Sequence, residues 1–565
     1  MSLFSSIQMA GNTLQAMQIG LHVVGNNISN ANTPGFIRER VIYQPAPVQK
    51  VGSLTLGLGV EIAGIVQNID RFVEERLRDT SSDRASADIQ QQIYGDLEAI
   101  VGELGDTDVS TALTNFFNSI DEVSKQPGVA ATRNLAIGAG QTLATKINTL
   151  ARRVDATYED FGTRVQNVTS EINTLTEQIS KLNLQIVSLE GGTAKVTEAG
   201  GLRSQRNTAM KRLAEIADVK VAEGQFGAAN VSINGEVLVF EGTRREVRTA
   251  FSTLNDRPIA TLEFADNGDA IQVAGGELHG IYVARDEIVG GFLDKLDTFA
   301  GALAFEFNKV HSQGQGASGF TSVTSQAAVN DPNAALDAVG LDFTPTSGEF
   351  NLLVYNTVTK LTERHRIAVD LNGLDGDTSL ASLAADINAK SGVSAQVTSD
   401  NLLKITSDSA ELQIAFESDT SGLLASIGIN TFFTGSTAST IGVNQTLLSD
   451  GSKFAAATGG IGVGVQNALR MVALHDDGLD SLNGNTITGL YDQLVNETAQ
   501  GGSVAKSVAD GFAVFEQTLE ASAQAVSGVN LDEEAIDMIV LQRIYQASAQ
   551  YISTLSELMD ILVAL

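Results

Sequence analysis

The chain ends on a segment, SGVNLDEEAIDMIVLQRIYQASAQYISTLSELMDILVAL, whose apolar residues recur with a helical period to the last position. Met538, Leu541, Tyr545, Ser548, Ile552, Leu555, Met559 and Leu562 alternate by three and four residues, the spacing of a coiled-coil seam with Ser548 as its polar member. Ile544, Tyr551, Leu558 and Leu565 recur every seventh residue beside it, so the apolar face is broader than a two-stranded zipper needs. The other end of the chain carries the counterpart: Leu3, Ile7, Ala10, Leu14, Met17, Leu21, Val24 and Ile28. Gly11, Gly20 and Gly25 weaken that helix, each by about 1 kcal/mol relative to alanine. Burying one apolar stripe does not offset the ordering of so long a backbone. Both terminal helices are therefore expected to become ordered through partners, in this chain or in neighbouring copies.

The first helix runs into NNISNANTPGFIRERV, where Asn30, Asn32, Thr33, Pro34 and Gly35 are turn formers and Phe36 follows. Pro34 pushes Thr33 out of helical space, and Gly35 is free to take positive φ. Leu56–Val60 then reads as a glycine-spaced strand rather than a phosphate loop, with a helix starting at Asp70. A helix carrying Phe116 and Phe117 and a Pro127-Gly128 turn lead to a long helix from Arg133 to Leu189. Its seam is expected to break at Thr157, to stutter between Phe161 and Val165, and to stop at Gly191-Gly192.

From about Val219 to Val283 the period falls to two around Asn234-Gly235 and Asn267-Gly268, predicting two hairpins in a small β domain. Helical spacing returns from Ile288 to Val310. A second β-rich region spans about Phe320 to Gly435, with one helix, LASLAADINAKSG, between the strands EFNLLVYN and NLLKITSD. Val508, Phe512, Phe515, Leu519, Ser522 and Val526 resume the heptad, and Asn530 or Asp532 caps the last helix.

At 565 residues the chain exceeds what one core supports. The expected fold is α+β and multidomain: a long coiled-coil-like helical bundle made from both chain ends, with two inserted β-rich domains. The nested boundaries are 1–45 with 529–565 for a terminal helical core; 46–215, 284–319 and 455–528 for a long-helix rod; and 216–283 and 320–454 for the insertions.

Little in this chain points to chemistry. A net charge of −31 disfavours nucleic acid or an anionic membrane as principal partner, and the absence of cysteine excludes disulfides and thiolate chemistry. No segment is apolar enough for membrane insertion, and the N-terminus lacks the pattern of a cleaved signal. The five histidines, at 22, 279, 311, 365 and 475, have no paired-ligand spacing, and His311 reads as a polar contact at a helix end. Asp370, Asp375, Asp377, Asp408 and Asp419 form no calcium loop, and Gly460, Gly462 and Gly464 form no dinucleotide fingerprint. No catalytic residue, cofactor or metal is expected.

The NNIS and ANTPGF motifs, set between a heptad helix at residue 3 and another at the last residue, resemble the axial proteins of the bacterial flagellum: rod, hook and hook-associated proteins. Phe116, Phe117, Pro127 and Arg133, then Phe307, Asn308, His311 and Gly314, resemble the hook-associated family of the hook-filament junction in particular. So do SGVNLDEEA, QRIYQASAQYIS and the FFTG-containing segment, while Phe36 stands where many members carry tyrosine. The resemblance implies a structural protein, secreted through the flagellar type III export channel and located in the extracellular flagellum. It implies as partners further copies of the chain, the hook protein, a second junction protein, and an export chaperone on the C-terminal helix. The seam residues and the turn Asn30–Phe36 would be the assembly surfaces. The alternatives are a hook or distal-rod protein, and a secreted enzyme or adhesin carried by the inserted β domains.

Overall fold

The computed structural model describes residues 3–51, 54–102, 108–191, 197–254, 257–374, 376–462 and 464–564. Helix α1 (Leu3–Asn30) is followed by strands β1 (Glu39–Pro45), β2 (Val48–Val51), β3 (Leu54–Gly57) and β4 (Val60–Gln67). Helices α2 (Arg71–Gly102), α3 (Val109–Lys125), α4 (Ala130–Glu190) and α5 (Gly200–Ile216) come next. Strands β5 (Val219–Glu223), β6 (Ala229–Ile233), β7 (Glu236–Phe240), β8 (Thr243–Arg244), β9 (Val247–Leu254) and β10 (Arg257–Phe264) precede α6 (Gly276–Val283) and α7 (Gly290–Ser312). The next region holds β11 (Ser322–Thr324), β12 (Gly348–Asn356), β13 (Thr362–Val369), α8 (Leu380–Asn388), β14 (Val393–Val397), β15 (Leu403–Ser407) and β16 (Leu412–Glu417). Then come α9 (Leu423–Ser426), β17 (Phe433–Thr434), β18 (Gly442–Val443), α10 (Gln445–Ser449), α11 (Gln466–Ala473), α12 (Ile487–Ser527) and α13 (Leu531–Ala564). The architecture is α+β and multidomain.

Two compact units divide the chain: Met1–Gln92, Glu159–Arg285 and Ser503–Leu565 form one, and Ile93–Tyr158 and Asp286–Gly502 the other. Both chain ends and the 216–283 region fall in the first unit and the 320–454 region in the second, while the long-helix segments are shared between them.

In the first unit α1 packs along α13, and β1 pairs antiparallel with β4 through a bulge between Ile42 and Tyr43. The sheet β5-β6-β7-β8 turns at Asn234-Gly235, whose φ values of 45° and 85° are what a two-residue hairpin loop requires. The second Asn-Gly behaves differently. Only Gly268 takes positive φ, and the chain beyond it folds back antiparallel on β10 for a few residues, Phe264 N bonding Asp269 O (3.0 Å) and Ile271 N bonding Leu262 O (2.9 Å) about the bridge Glu263 to Ala270, too short a return to make a strand. The longer hairpin is β9 with β10. The expected β region also ends early, because Gly276–Val283 is already helical and passes through a π-helical turn, Ala284–Val289, before α7.

Helix α4 runs through Thr157 without a break, and Tyr158 is buried there. The buried row steps from Val154 to Tyr158 to Phe161, which moves the stutter to the step before Tyr158. Towards its end Thr176, Ile179, Ser180, Leu182, Asn183 and Ile186 are buried, whereas Leu189 is exposed. Asn183 stays inside because its amide donates to Ala229 O (2.7 Å) and Glu241 O (2.6 Å) and accepts from Ala229 N (3.0 Å). Gly192 lies outside the described residues.

On α12 the expected seam is displaced. Val508, Phe515 and Val526 are exposed, and the covered row is Ala505, Ala509, Glu516 and Ala523, with Phe512 and Leu519 half-buried. The Glu516 carboxylate accepts from the Ser81 hydroxyl and from Arg84 Nη1 on α2. Burial alone would raise the Glu516 carboxyl, but these two bonds hold it below its ordinary range.

The second unit gathers Phe116, Phe117, Phe307 and His311 with Phe432 and Phe433 in one aromatic core. Phe116 of α3 lies 5.1 Å from Phe307 of α7 and 5.3 Å from Phe432, ring centre to ring centre. Asn308 fixes the same segment, its Oδ1 accepting from the Phe432 and Phe433 amides at 2.9 Å each. His311 is fully buried, with Nδ1 2.8 Å from Asn430 O and Nε2 accepting from Ala455 N at 3.2 Å. Burial pushes its pKa down to about 4, so the ring is neutral and Nδ1 carries the proton. Beside this core, sheets β13-β12-β16 and β11-β15-β14 with α8 enclose Phe350, Leu352, Leu383, Ile405 and Phe416. Of the aspartates, Asp377 accepts from the Asn372 and Gly373 amides, Asp419 from Ser421, Gly422 and Leu424, and Asp408 from the Ser394 hydroxyl. Asp370 sits at the turn after β13, where its N–H bonds Thr378 Oγ1, and Asp375 lies outside the described residues.

Candidate functional site at the paired chain ends

Helix α1 presents two adjacent covered rows. Ala10, Met17 and Val24 of the expected seam are buried, and Leu3, Ile7, Leu14, Leu21 and Ile28 are half-buried. The second row, Ala16, Gly20, Val23 and Asn27, escapes a hydrophobic pattern because two of its members are glycine and asparagine. At Gly20 the packing is close: a Cβ there would stand 3.2 Å from Leu541 Cδ1 on α13 and 2.3 Å from the Tyr43 hydroxyl.

On α13 the expected seam is the covered row. Leu555 is buried, and Met538, Leu541, Tyr545, Ser548, Ile552 and Met559 are half-buried, while the side chain of Leu562, and Leu565, lie outside the described residues. The parallel row Ile544, Tyr551 and Leu558 is exposed, as are Ile536, Ile539, Val540 and Ile561. One side of this helix is thus covered by its own chain and a broad apolar side is open.

The turn after α1 ties the two helices together. Asn27 Nδ2 donates to Glu39 O (2.9 Å) and to Glu534 Oε2 (3.1 Å), and the Glu39 amide returns a bond to Asn27 Oδ1 (3.0 Å). Arg38 places Nε 2.6 Å from Glu534 Oε1 and Nη1 2.8 Å from Glu533 Oε2, while its own amide reaches Ser527 O (2.9 Å). Burial works to lower the Arg38 pKa, but the glutamates outweigh it and hold it above the ordinary value. Asn530 caps α13 by accepting from the Asp532 amide (3.0 Å).

Within the turn, Thr33 N bonds Asn30 O (2.9 Å) and Phe36 N bonds Thr33 O (3.1 Å). Asn30 is anchored to Asn26 O (3.0 Å). Gly35 has φ +75°, and any Cβ there would stand 2.3 Å from the Thr208 hydroxyl of α5, so both conformation and space require glycine. Asn32, Thr33 and Pro34 are exposed, and Phe36 is half-buried. The turn borders a cleft of about 940 Å³ whose other walls are α5, the end of α12 and the Gly528–Asn530 loop. The charges facing this cleft are matched: Lys211 with Glu520 (2.7 Å) and Arg212 with Glu215 (3.1 Å) and, beyond the cleft, Glu277 (2.6 Å). The cleft and helix pair offer shape and apolar surface. Among the described residues no group of three or more His, Asp or Glu is placed to hold a metal ion.

Comparison with known proteins bears on these same segments. Residues 94–324 match the family described as flagellar hook-associated protein FlgK helical domain, residues 7–36 the flagella basal body rod protein family, and residues 521–565 the flagellar basal body rod FlgEFG protein C-terminal family. The chain is 24% identical over 568 residues to flagellar hook-associated protein 1 of Bacillus subtilis, covering 99% of this chain and 97% of that protein. Over 586 residues it is also 24% identical to flagellar hook-associated protein 1 of Salmonella typhimurium, covering 99% of both. The fold is similar to the flagellar hook junction protein FlgK from Burkholderia pseudomallei, with a TM-score of 0.50 and 15% identity over 80% of this chain and all of that one. With near full-length relatives and family matches on its helical region and at both ends, the chain is similar over nearly its whole length to the flagellar hook-associated proteins.

Proposed function

We propose that the protein is a structural subunit of the bacterial flagellum that joins hook to filament by assembling into a short tubular zone. The observation that carries this reading is the open apolar row of α13, Ile544, Tyr551 and Leu558, beside the row already covered by α1. A helix with two apolar rows and one partner leaves a surface that further copies can cover. The terminal pair forms the tube core. Copies of the chain, the hook protein and a second junction protein are the partners at its surfaces. The function is geometric and needs no catalytic group or cofactor.

Delivery follows from the same surface. The protein leaves the cell through the flagellar type III export channel, with an export chaperone holding the apolar C-terminal helix until assembly. Among the described residues no helix is long and apolar enough to cross a membrane. Purified hook-basal bodies test the location: the protein should be found at the distal end of the hook, and its absence there would refute the reading. Loss of chaperone pull-down when residues after Leu531 are removed tests the second claim, and unchanged pull-down would refute it.

A further inference from the structure

A cavity of about 260 Å³ opens in the second unit between β11 and the segment from Gly428 to Leu447. One wall is a sheet edge. β11 is the outer strand of β11-β15-β14, and Thr321 O and Ser325 N bond Ser407 N and Leu403 O on the β15 side. Antiparallel alternation therefore turns the backbone N–H and C=O of Ser322 and Thr324 away from β15 and towards the cavity that they line.

The opposite wall carries Thr431, which is 2% exposed and whose hydroxyl has no hydrogen-bond partner among the described residues. That wall is held in place: Asn430 Nδ2 donates to Ser312 O (2.8 Å) and Gly314 O (3.0 Å), and Asn444 Nδ2 to Thr431 O (3.0 Å). The slot is closed where the Gln326 and Ala327 amides both reach Ile427 O, at 2.9 and 3.1 Å. Gly428 makes this junction possible, since its φ is +76° and a Cβ would stand 2.9 Å from Gln326 Cβ.

These walls define the occupant. No Asp, Glu, Lys, Arg or His lines the cavity, and the chain as a whole carries a net charge of −31, which disfavours phosphates and carboxylates. The closed end stops an extended peptide from running along the strand edge. The volume lies below the ~300–1,000 Å³ of drug-sized pockets, which limits the occupant to about one ring. Backbone donors and acceptors on one side and a buried hydroxyl on the other suit a neutral ring bearing several hydroxyls. We propose that this cavity binds a single neutral sugar residue.

Titration of the full-length protein with glucose, galactose and N-acetylglucosamine, followed by saturation-transfer NMR, tests this, with glucuronate as the charged control. At least one neutral sugar should bind with millimolar Kd and glucuronate should not. Thr431→Val, which keeps the shape and removes the hydroxyl, should weaken binding about tenfold. Thr446→Val, on the exposed rim of the same wall, should weaken it less and leaves folding intact if Thr431→Val does not. Binding of no neutral sugar by the wild type, or wild-type binding by a folded Thr431→Val protein, would overturn the proposal. If Thr431→Val does not fold, wild-type affinity in Thr446→Val would overturn it.

Discussion

Glu534, on the first turn of the last helix, is 1% exposed and accepts a 2.6 Å hydrogen bond from Arg38, 496 residues earlier in the chain. Asn27 reaches the same carboxylate from the first helix. One buried charge therefore registers the first helix and the turn after it against the last helix. Removing its cation leaves the charge uncompensated, so Arg38→Met is expected to cost about 3–5 kcal/mol. Hydrogen exchange in the first turns of α13 should accelerate accordingly. Exchange unchanged from the wild type would mean that the ion pair does not hold the helices.

Leu555 is the most buried residue of the expected α13 seam, and an aspartate there would be an unpaired charge against α1. Leu555→Asp, and Leu14→Asp on the facing helix, should abolish incorporation into hook tips while the β-rich regions keep wild-type circular dichroism and protease resistance. Incorporation of either variant at the wild-type level would contradict the role assigned to these rows.

Two glycines near the site should respond in opposite directions. Gly25 has nothing within 4 Å of an added Cβ, so Gly25→Ala should stabilise α1 in the free chain by about 1 kcal/mol. Gly59 has φ +88° and a Cβ there would stand 2.7 Å from Met9 O, so Gly59→Ala should destabilise the β4–α1 contact by at least ~1–2 kcal/mol. Exchange rates of α1 amides in the two variants report both changes, and shifts of the same sign would refute the packing described.

His311 gives the second unit a defined acid sensitivity. Its pKa is about 4 in the fold against 6.5 for the free side chain, so the unfolded chain takes up the proton first as pH falls. The stability that the neutral ring confers is complete above about pH 6.5 and is lost between there and about pH 4, amounting to about 3 kcal/mol. Urea unfolding of wild type and His311→Gln across that window should show the difference between them shrinking towards acid. A difference independent of pH would show that His311 does not titrate with folding.

The helical periods, the first Asn-Gly hairpin and the order of helical and β-rich regions were legible in the sequence because each is set by local spacing. The departures occur where packing used residues that a hydrophobic pattern passes over. Helix α12 covers alanines and the bonded Glu516, leaving Val508 and Phe515 outside. Asn183 and Thr176 hold core positions of α4 through hydrogen bonds rather than apolar surface. Asn267-Gly268 turns the chain back on β10 for only a few residues before it goes on to α6, so the second arm does not become a strand. At the candidate site the seam of α13 was readable, whereas Gly20 and Asn27 of α1 become visible only once the partner helix and β1 are in place.

The central claim is that this chain joins hook to filament. Electron microscopy of cells lacking it, together with assay of the medium for flagellin, tests that claim most directly. The account predicts hooks without filaments and unassembled flagellin in the medium, both reversed by the wild-type chain but not by Leu555→Asp. Filaments of normal number and length on cells without the protein would contradict it.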